Sequence, residues 1–536
     1  MKGLFKRVML ICSAAAIAAG CLTGCGNNAD TDAGKVAFNK EGYPIVDEPI
    51  ELNVVAAVNV MHNSNYNDMI MFKEYQEKSN VIINWTLIPR ENLSEKKGIL
   101  LAGGELPDVF YNMAISPKEA TQYGSQGVFI ELGDLIDKYA PNFKEVMNER
   151  PGVKPTITSP DGKIYTLATV GEAPEISTEK AWINKKWLDK LGLDVPTTSE
   201  ELYEVLKAFK TGDPNGNGIA DEIPMTGTLF NRVQSFTHGM FGLANSGSKI
   251  IYQYMDKGSD GKVRYFPMDE KYPEAVAYMK RLYSEGLLDK EIFTMDTAQF
   301  TAKGEQNLVG MFAEGSSPSI VGNKYSKDFV PLPVLEGPHG DRLWSNTTDL
   351  ITFGTFAITS ACKNPEIAMR WVDYWYSDEG NKLLRLGKEG ETYRTLEDGT
   401  FDYTEFVTNN PNGLSRDQAI GQFSVSPGGT APTYNRRKYM ITASALQSSI
   451  DAVEMYKPYM PDEIWQFTYT PEEVSEMTTL NSDINGLTSE KTSKWVTGQE
   501  SLDTYEDYKK QIKKMGVDRF IEIYQNGYDR WLKARK

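Results

Sequence analysis

The chain has 536 residues, of which 57 are Lys or Arg and 73 are Asp or Glu, so its formal net charge at pH 7 is −16. Hydrophobic residues make up 40% and charged residues 24%, a composition that supports a large core and excludes a disordered chain. The length predicts about three domains or two large ones. An acidic surface would repel phosphate backbones, so nucleic acid is not expected as a partner.

The start of the chain is predicted to be a lipoprotein signal peptide. Basic residues precede an apolar run over 8–19, which is shorter than the about 20 residues that cross a membrane. The run leads into the sequence LTGC at 22–25, which resembles a bacterial lipobox, so cleavage before Cys25 would leave that thiol to carry a lipid. Ordinary secretion with Cys25 left free is the alternative. We expect a signal peptide over 1–24, a flexible tether over 25–40, and attachment to the extracytoplasmic face of the cell membrane through the lipid alone.

Cysteine usage predicts a mature chain without an internal disulfide. Two of the 4 cysteines leave with the signal peptide and Cys25 takes the lipid, so Cys362 remains alone. Stability must therefore come from a large core, in which we expect Cys362 as a small buried residue and not as a nucleophile.

From residue 51 the sequence alternates strand and helix patterns. Strands are predicted over 51–58, 81–89 and 106–110, and helices over 68–78 and 91–101. This alternation predicts a largely parallel sheet with helices on both faces. In such sheets ligands bind beyond the carboxyl ends of the strands, which places the loops at 59–65 and 111–116 near a site.

Helices are predicted to dominate the rest of the chain, after a turn and strand over 161–170. Helix patterns lie over 185–191, 198–210, 273–285, 364–376, 443–453, 471–487 and 501–515. The sequence lacks the G-x-S-x-G, P-loop, H-E-x-x-H and C-x-x-C motifs, so we expect no enzyme activity. The tryptophans within strand or helix patterns are expected in the core. These are Trp182, Trp187, Trp371 and Trp375.

Seven segments together carry a resemblance to a known family. They are LAGGELPDVF at 101–110, DGKIYTL at 161–167, WINKKWLDKLGL at 182–193 with PTT at 196–198, LYSEGLLD at 282–289, GKEGETY at 387–393, KWVTG at 494–498 and YQNGYDR at 524–530. In order and spacing they resemble bacterial extracellular solute-binding proteins of ABC importers, of the family 1 type. The resemblance is to the large lipoprotein subgroup that binds oligosaccharides, and it spans about residues 51–530.

The resemblance implies an α/β, two-lobed, periplasmic-binding-protein-like fold of type II. In such a fold discontinuous lobes are joined by a hinge, and here the C-terminal part is expected to be helical. By that analogy lobe 1 consists of 41–172 plus 327–378, and lobe 2 of 173–326 plus 379–536. The chain is expected to be a monomer.

The loop after the helix at 198–210 is predicted to bind a structural calcium ion. Oxygen donors recur at alternate positions, and Gly218 allows the sharp turn that a hard cation requires. The loop departs from the EF-hand at Pro224, which stands in place of the last Glu, whereas Glu222 resembles the calcium loop of the oligosaccharide-binding subgroup. The alternative is an Asn-Gly turn with solvated carboxylates. The predicted ligands are Asp213, Asn215, Asn217, the backbone carbonyl of Ile219, Asp221 and Glu222.

Ligand contacts are expected from aromatic and polar side chains on the loops between the lobes. Sugars stack an apolar face on aromatic rings, and their hydroxyl groups need carboxylate and amide partners. For each candidate, packing inside the fold is the alternative. The candidates are His62 and Asn63 after the first strand, Tyr111 and Asn112 after the third, Arg232 and Phe236 in the second lobe, and Trp344 in the segment that returns to the first lobe.

The lipid anchor, the resemblance and the missing catalytic motifs indicate a lipoprotein that captures an oligosaccharide by hinge closure and delivers it to ABC permease subunits. The alternatives are a surface glycan-degrading enzyme and a ligand-sensing subunit for a membrane kinase. A neutral sugar is favoured over an acidic one, because the predicted cleft loops supply few cations. The cations are Arg232 and Arg342, and the acids are Glu172, Glu175 and Asp349.

Overall fold

The computed structural model describes residues 36–535, with gaps at 60, 64, 104, 173–178, 228–229, 245, 247–252, 346–349, 415, 428–430, 442–444, 462–464 and 466. The predicted signal peptide, Cys25 and most of the tether therefore lie outside the described residues, as do Glu175 and Asp349. Residues Ala37–Lys536 form one compact unit, which contains two large sheets.

Strands and helices alternate through the first part of the chain, and helices dominate the last part. The strands are β1 (Ile50–Val58), β2 (Val81–Pro89), β3 (Val109–Tyr111), β4 (Leu167–Gly171), β5 (Lys180–Asn184), β6 (Ile223–Thr226), β7 (Met255–Lys257), β8 (Val263–Tyr265), β9 (Val309–Glu314), β10 (Phe329–Pro331), β11 (Ile351–Ile358), β12 (Tyr393–Thr395), β13 (Phe401–Tyr403) and β14 (Tyr434–Asn435). The helices are α1 (Ile70–Ser79), α2 (Leu93–Gly103), α3 (Pro117–Ser125), α4 (Gly133–Tyr139), α5 (Pro141–Glu149), α6 (Val153–Ile157), α7 (Lys185–Leu191), α8 (Ser199–Thr211), α9 (Phe230–Thr237), α10 (Tyr272–Ser284), α11 (Thr297–Glu305), α12 (Pro318–Tyr325), α13 (Pro365–Asp373), α14 (Asp378–Leu386), α15 (Glu405–Thr408), α16 (Arg416–Gly421), α17 (Ala445–Tyr456), α18 (Pro471–Thr497), α19 (Tyr505–Lys514) and α20 (Val517–Arg535).

The first sheet has six strands in the order β14–β4–β11–β3–β1–β2. β1 pairs in parallel with both β2 and β3, whereas β11 pairs antiparallel to β3 and to β4. The strands β1 to β4 therefore run in one direction, which confirms the largely parallel sheet predicted from the alternating pattern. β14 pairs in parallel with β4 at the sheet edge.

The second sheet has four strands in the order β10–β5–β9–β6. β5 pairs antiparallel to β9 and β10, and β6 pairs in parallel with β9. Two hairpins, β7–β8 and β12–β13, form separate two-stranded sheets. The amino end of β5 therefore lies at the same edge of the second sheet as the carboxyl ends of β6, β9 and β10.

The chain passes between the two sheets in three segments, 172–179, 332–350 and 436–444. The first segment leaves the carboxyl end of β4 and enters the amino end of β5. The second joins the end of β10 to the start of β11, and the third leads from β14 to α17, which packs against β5 and β10. These segments leave or enter each sheet along one edge, which is formed by the ends of its strands. We call that edge the crossing edge of the sheet. The carboxyl ends of β1, β2 and β3 lie at the crossing edge of the first sheet.

Two hydrophobic cores correspond to the two sheets. The first core packs on one face of the six-stranded sheet and draws its residues from 45 to 434, while a smaller cluster covers the other face. The second core draws its residues from 181 to 531 and includes the C-terminal helices. The four tryptophans that were expected in the core are all fully buried, which confirms that prediction. Cys362 is half-buried, and burial raises the pKa of its thiol to about 12.

Two strand pairings bear on where the lobes divide. β10 falls in the range expected for lobe 1, yet it pairs with β5 of the second sheet. β14 falls in the range expected for lobe 2, yet it pairs with β4 of the first sheet. The lobe division stays a proposal, and these pairings favour a return to the first lobe after Pro331 and a departure from it after Asn435.

The longest predicted helix is longer in the structure than the pattern indicates. Its expected end lay at residue 487, but α18 continues to Thr497 and ends at Gly498, whose φ of 77° is left-handed. The pattern underestimates its length because polar residues in the second half of the helix are buried and hydrogen-bonded. Thr488 is fully buried, and its Oγ1 lies 2.8 Å from the hydroxyl oxygen of Tyr265. Among the helices of the described residues, none is long and apolar enough to span a membrane.

A glycine at a bulge in β11 holds the loop after β3 in place. Gly354 has a φ of 73°, and a Cβ added there would lie 1.8 Å from the carbonyl oxygen of Ile115. The register between β11 and β4 shifts across this position, and the Gly354 carbonyl accepts a bond of 3.1 Å from the Ile115 amide. Both the backbone conformation and the close approach therefore require glycine.

We expect Gly354→Ala to lower the free energy of unfolding by about 3 kcal/mol, because a Cβ is excluded by both φ and contact. Chemical denaturation followed by circular dichroism measures the change. Gly98→Ala is the matched control, since Gly98 lies inside α2 and a Cβ added there would meet no other atom within 4 Å. That control should be neutral or about 1 kcal/mol more stable. Equal effects of the two substitutions would contradict the assignment.

Candidate functional site

Two polar loops meet at the crossing edge of the first sheet. His62, in the loop after β1, is 8% exposed, and its Nε2 lies 2.8 Å from the Pro427 carbonyl oxygen. Its Nδ1 lies 3.0 Å from the hydroxyl oxygen of Tyr66. The Asn63 amide donates to the Gly421 carbonyl oxygen at 2.8 Å. Both candidates therefore tie the loop after β1 to the segment 421–427.

The loop after β3 adds a second pair of polar side chains. Asn112 is 1% exposed and adopts a φ of 55°, and its Oδ1 accepts a hydrogen bond of 3.4 Å from Nη2 of Arg90. Arg90 follows β2 directly and is half-buried. Its Nε has no hydrogen-bond partner, and none of the described carboxylates pairs with it. A guanidinium with spare donors thus lies at this edge.

Tyr111, the last residue of β3, lies inside the first core. It is fully buried, and its ring contacts the rings of Phe72, Trp85 and Trp371. Burial raises the pKa of its hydroxyl well above the usual value. Because alternate strand residues point to opposite faces, a residue at the end of a buried strand packs inward while its neighbour Asn112 remains at the edge. In this structure Tyr111 supports the edge and does not present its ring at the surface.

An ion-pair cluster occupies the crossing edge of the second sheet. Nε of Arg232 lies 3.3 Å from Oε1 of Glu179, and Nη1 of the same residue contacts Oε1 of Glu314. Glu314 ends β9, Glu179 immediately precedes β5, and Arg232 lies in the first turn of α9. The Lys180 amine donates to the Gly315 carbonyl oxygen at 2.8 Å. The cations at this edge are therefore engaged by acceptors of the protein itself.

The two remaining aromatic candidates lie beneath this edge, in the second core. Phe236 is 3% exposed and Trp344 is 4% exposed. The Trp344 ring stacks on Tyr456 with a centroid distance of 3.9 Å, and its other aromatic neighbour is Phe236 at 6.5 Å. Trp344 was expected in the segment that returns to the first lobe, and in the structure its contacts belong to the second core. These contacts show that Phe236 and Trp344 pack inside the second core.

The crossing segments carry a further charged group. Oε2 of Glu172 accepts a bond of 2.8 Å from the Arg437 amide, and Oε1 lies 3.8 Å from Nη1 of Arg436. Arg436 also lies 3.6 Å from Asp378. Arg342 donates to the Val334 carbonyl oxygen at 3.0 Å and so is also engaged. The crossing segments 172–179 and 436–444 are thereby joined by a hydrogen bond and an ion pair.

The predicted calcium loop converges on the Asp221 carboxylate. The side-chain amides of Asn215 and Asn217 both donate to it at 3.1 Å, and Asp213 accepts from the amides of Gly216 and Gly218. The 213–222 loop also holds Oε1 of Glu222, which is buried without a hydrogen-bond partner. The side-chain oxygens of Asn215 and Asn217 accept from the amides of Asn217 and Ile219 at 2.9 and 2.7 Å, and turning them toward a cation at the Asp221 carboxylate would replace these two bonds. The donor set therefore fits a hard cation.

No three His, Cys, Asp or Glu side chains of the described residues come close enough together to hold a metal ion. Calcium also accepts amide and backbone carbonyl oxygens, and asparagine and isoleucine supply these in the loop. A calcium ion bound there would depend on Asn215, Asn217 and the Ile219 carbonyl as well as on the three acids.

Three residues at the crossing edges were not predicted from the sequence. Arg90 directly follows a predicted strand, so the rule that selected His62 and Tyr111 would also have selected it. Glu179 and Glu314 come together only because β5 and β9 pair antiparallel, with Lys180 opposite Glu314. The sequence carries no local signal for that meeting.

We expect His62 to make the fold less stable in acid. Burial is the main cause that lowers the pKa of His62 below its usual value of 6.5, although the Pro427 carbonyl offsets part of it. A lowered pKa means that the folded state resists protonation, so the stability is fully present above pH 6.5 and is lost as the pH falls through the folded-state pKa. The unfolding free energies of the native protein and of His62→Gln, measured from pH 7.5 to pH 5, should converge with acid by at most about 1.4 kcal/mol per pH unit.

The His62→Gln comparison cancels the contributions of other titrating groups, including the buried His238. A difference between the two proteins that grows as the pH falls would contradict the neutral, bonded state of His62.

Comparison with known proteins places the chain in context. The family model for bacterial extracellular solute-binding proteins matches residues 65–382. The chain is similar to FusA, a fructooligosaccharide ABC transporter substrate-binding protein of Streptococcus pneumoniae, with 29% identity over 98% of this chain and 97% of FusA. It is also similar to YtcQ of Bacillus subtilis, a polygalacturonan/rhamnogalacturonan-binding protein, with 28% identity over 74% of this chain and 76% of YtcQ.

Solved structures of FusA match the fold. FusA in complex with kestose covers 91% of this chain and 100% of its own, with 28% identity and a TM-score of 0.75. An EF-hand mutant of FusA in complex with fructo-nystose matches with 27% identity and a TM-score of 0.74, over 91% of this chain and 100% of its own. These likenesses confirm the two-lobed α/β fold of type II.

Proposed function

The chain belongs to the bacterial extracellular solute-binding proteins, and from that premise we propose that it captures a neutral oligosaccharide between its two crossing edges. The observation that supports this most directly is that Arg90 and Asn112 lie at one crossing edge, whereas Glu179 and Glu314 lie at the other. Sugar hydroxyl groups both donate and accept, so donors on one side and carboxylate acceptors on the other suit them.

The charge balance favours a neutral ligand over a uronate. A polyanion in a partly buried site needs cations that are free to pair with it. Arg232 is bound by two carboxylates, and Arg436 lies between Glu172 and Asp378. Arg90, which pairs with none of the described carboxylates, is a single cation and not the cluster that a polyanion needs. FusA is a fructooligosaccharide-binding protein, whereas YtcQ binds acidic polymers, so relatives of this chain include both classes.

Delivery is proposed to follow hinge closure. A ligand that contacts both crossing edges favours the arrangement in which the edges are close, because it makes its full set of contacts only there. The closed, monomeric protein then docks on the permease subunits of an ABC importer, while a lipid on Cys25 keeps it near them. Glycan degradation and ligand sensing for a membrane kinase remain the alternatives.

Calcium is proposed to stabilise the loop at 213–222. Asp213, Asp221 and Glu222 would contribute carboxylate oxygens, Asn215 and Asn217 amide oxygens, and Ile219 its backbone carbonyl. A bound cation neutralises acids that otherwise repel one another and holds the loop that follows α8. Its role is structural and involves no chemistry on the ligand. An EF-hand mutant exists for the relative FusA, which supports the proposal by analogy.

Calorimetry with kestose, nystose and trigalacturonate tests the proposed ligand class. We expect binding of a neutral fructooligosaccharide whose affinity changes little between low and high salt, because no net ion pair forms. Arg90→Ala should weaken that binding about tenfold through the loss of a charged donor.

Arg394→Ala is the matched control, because Arg394 is exposed on the β12–β13 hairpin and its ion pair among the described residues is with Asp402. It should leave the affinity unchanged. Preference for trigalacturonate with a steep salt dependence would refute the neutral ligand. Steady release of smaller sugars would support the enzyme alternative instead.

Chelation tests the calcium proposal. The melting temperature should rise by about 3 °C or more when calcium is returned to protein treated with a chelator. Asp213→Asn should lose most of this rise, because asparagine also accepts the left-handed backbone at φ 46° but lacks the charge. Asp260→Asn, in another tight turn where Asp260 accepts from the Lys262 amide, is the control and should keep the rise. An unchanged melting temperature in the native protein would exclude the site.

A further inference from the structure

A second arginine lies at the crossing edge of the first sheet. Arg385, in the last turn of α14, is half-buried. Its Nε donates to Oδ1 of Asn435 at 3.0 Å, and its Nη1 donates to Oγ of Ser426 at 2.8 Å. Asn435 ends β14, which runs parallel to β4, so its carboxyl end lies at the crossing edge. Ser426 precedes Pro427, whose carbonyl oxygen lies 2.8 Å from Nε2 of His62. Arg385 therefore belongs to the same polar edge as His62.

The two partners of the Arg385 guanidinium are neutral. No carboxylate of the described residues forms an ion pair with it, and burial lowers its pKa to about 10. A half-buried cation without an opposite charge costs free energy, whereas an amide could join Ser426 and Asn435 at a lower cost. The charge is therefore in excess of what these two contacts need, and it favours a further acceptor.

Two donors at this place are open to a ligand. Nη2 of Arg385 and Nδ2 of Asn435 have no hydrogen-bond partner among the described residues, and neither atom is among those that are buried without a partner. Both atoms are therefore accessible to solvent. Donors that water reaches can also bond to the hydroxyl and ring oxygens of a sugar, and bonds from a charged donor are the stronger ones.

The two arginines of this crossing edge lie too far apart to bind one sugar ring. Arg90 bonds to Asn112, which follows β3, whereas Arg385 bonds to Asn435 at the end of β14. In the sheet order β14–β4–β11–β3, three strand spacings of about 4.8 Å separate these partners, which amounts to about 14 Å. A ligand that contacts both arginines must therefore be several sugar units long. The same separation keeps the two cations from forming the compact cluster that a polyanion needs.

We propose that Arg385 determines the chain length of the ligand, because it binds the far end of an oligosaccharide whose other end lies at Arg90. Nη2 of Arg385 and Nδ2 of Asn435 donate to sugar oxygens there. The inference rests on the proposed oligosaccharide binding and adds a length requirement to it. A trisaccharide or longer chain bridges the crossing edge of the first sheet, whereas a disaccharide reaches only one of the two arginines.

Calorimetry with sucrose, kestose and nystose, a series of increasing chain length, tests the proposal. In the native protein we expect nystose to bind at least about tenfold more tightly than sucrose, because its added units reach a charged donor. We call this ratio of affinities the chain-length ratio. Where sucrose binds too weakly for direct titration, its displacement of nystose gives its affinity. Arg385→Ala should remove most of the chain-length ratio and leave the affinity for sucrose unchanged, whereas a merely structural role would weaken all three sugars alike.

Lys382→Ala is the matched control, because Lys382 is a half-buried cation on the same helix whose amine lies over the rings of Tyr393 and Phe401. It should leave the three affinities unchanged. If Arg385→Ala does not fold, Arg385→Gln gives the same comparison, since glutamine keeps an amide donor for Ser426 and Asn435 but lacks the charge.

Two results would overturn this inference alone: equal affinities for the three sugars in the native protein, or an unchanged chain-length ratio in the folded Arg385 variant. Failure of all three sugars to bind would be a different outcome, because it would also refute the proposed function.

Discussion

Three segments carry the chain between the two sheets, and all of them leave and enter along a single edge of each sheet. The direction of a strand decides which of its ends lies at that edge. Because β1, β2 and β3 run parallel to β4, their carboxyl ends and the loops that follow them all lie at the crossing edge of the first sheet. In the second sheet the same constraint brings the end of β9 beside the start of β5. Polar side chains from distant parts of the sequence are thus collected at the crossing edge of each sheet.

The two crossing edges differ in the partners of their charged side chains. At the second sheet, Arg232 is held between Glu179 and Glu314, and removing Arg232 would take from both carboxylates the cation that they share. At the first sheet, Arg90 is held by an amide oxygen and lacks such a carboxylate. The charges at the crossing edge of the second sheet are therefore paired within the protein, while the crossing edge of the first sheet holds an arginine without a described carboxylate partner. An asymmetry of this kind lets a site orient a sugar without attracting every anion nearby.

Strand and helix periodicity was sufficient to predict β1, β2 and the parallel character of the first sheet, because both strands are nine-residue runs rich in apolar and β-branched residues. Periodicity was not sufficient to predict the burial of side chains that pack against residues distant in sequence. Tyr111 satisfies the rule about loops that follow strands, and Trp344 was chosen from the segment that returns to the first lobe. Both rings are nevertheless buried, by Trp371 and Tyr456 respectively, which lie more than about a hundred residues away in sequence. Arg90 satisfies the same rule and lies at the crossing edge. The sequence pattern thus predicted which loops lie at the crossing edge, whereas side-chain direction and long-range strand pairing determine which of their residues are buried.

The strand order of the first sheet also constrains how the chain can acquire its structure. β11 lies between β3 and β4, so β4 reaches the rest of its sheet only through a strand that is encoded after most of the second sheet. Until residues 351–358 become available, β3 presents an unpaired edge that can pair with the wrong chain. Joining segments so distant in sequence is slow, because the entropy of closing the intervening loop is lost before the contacts form. A nascent chain with this connectivity cannot complete its first sheet piece by piece, and that sheet remains open to chaperones until residue 435 of 536 has been made.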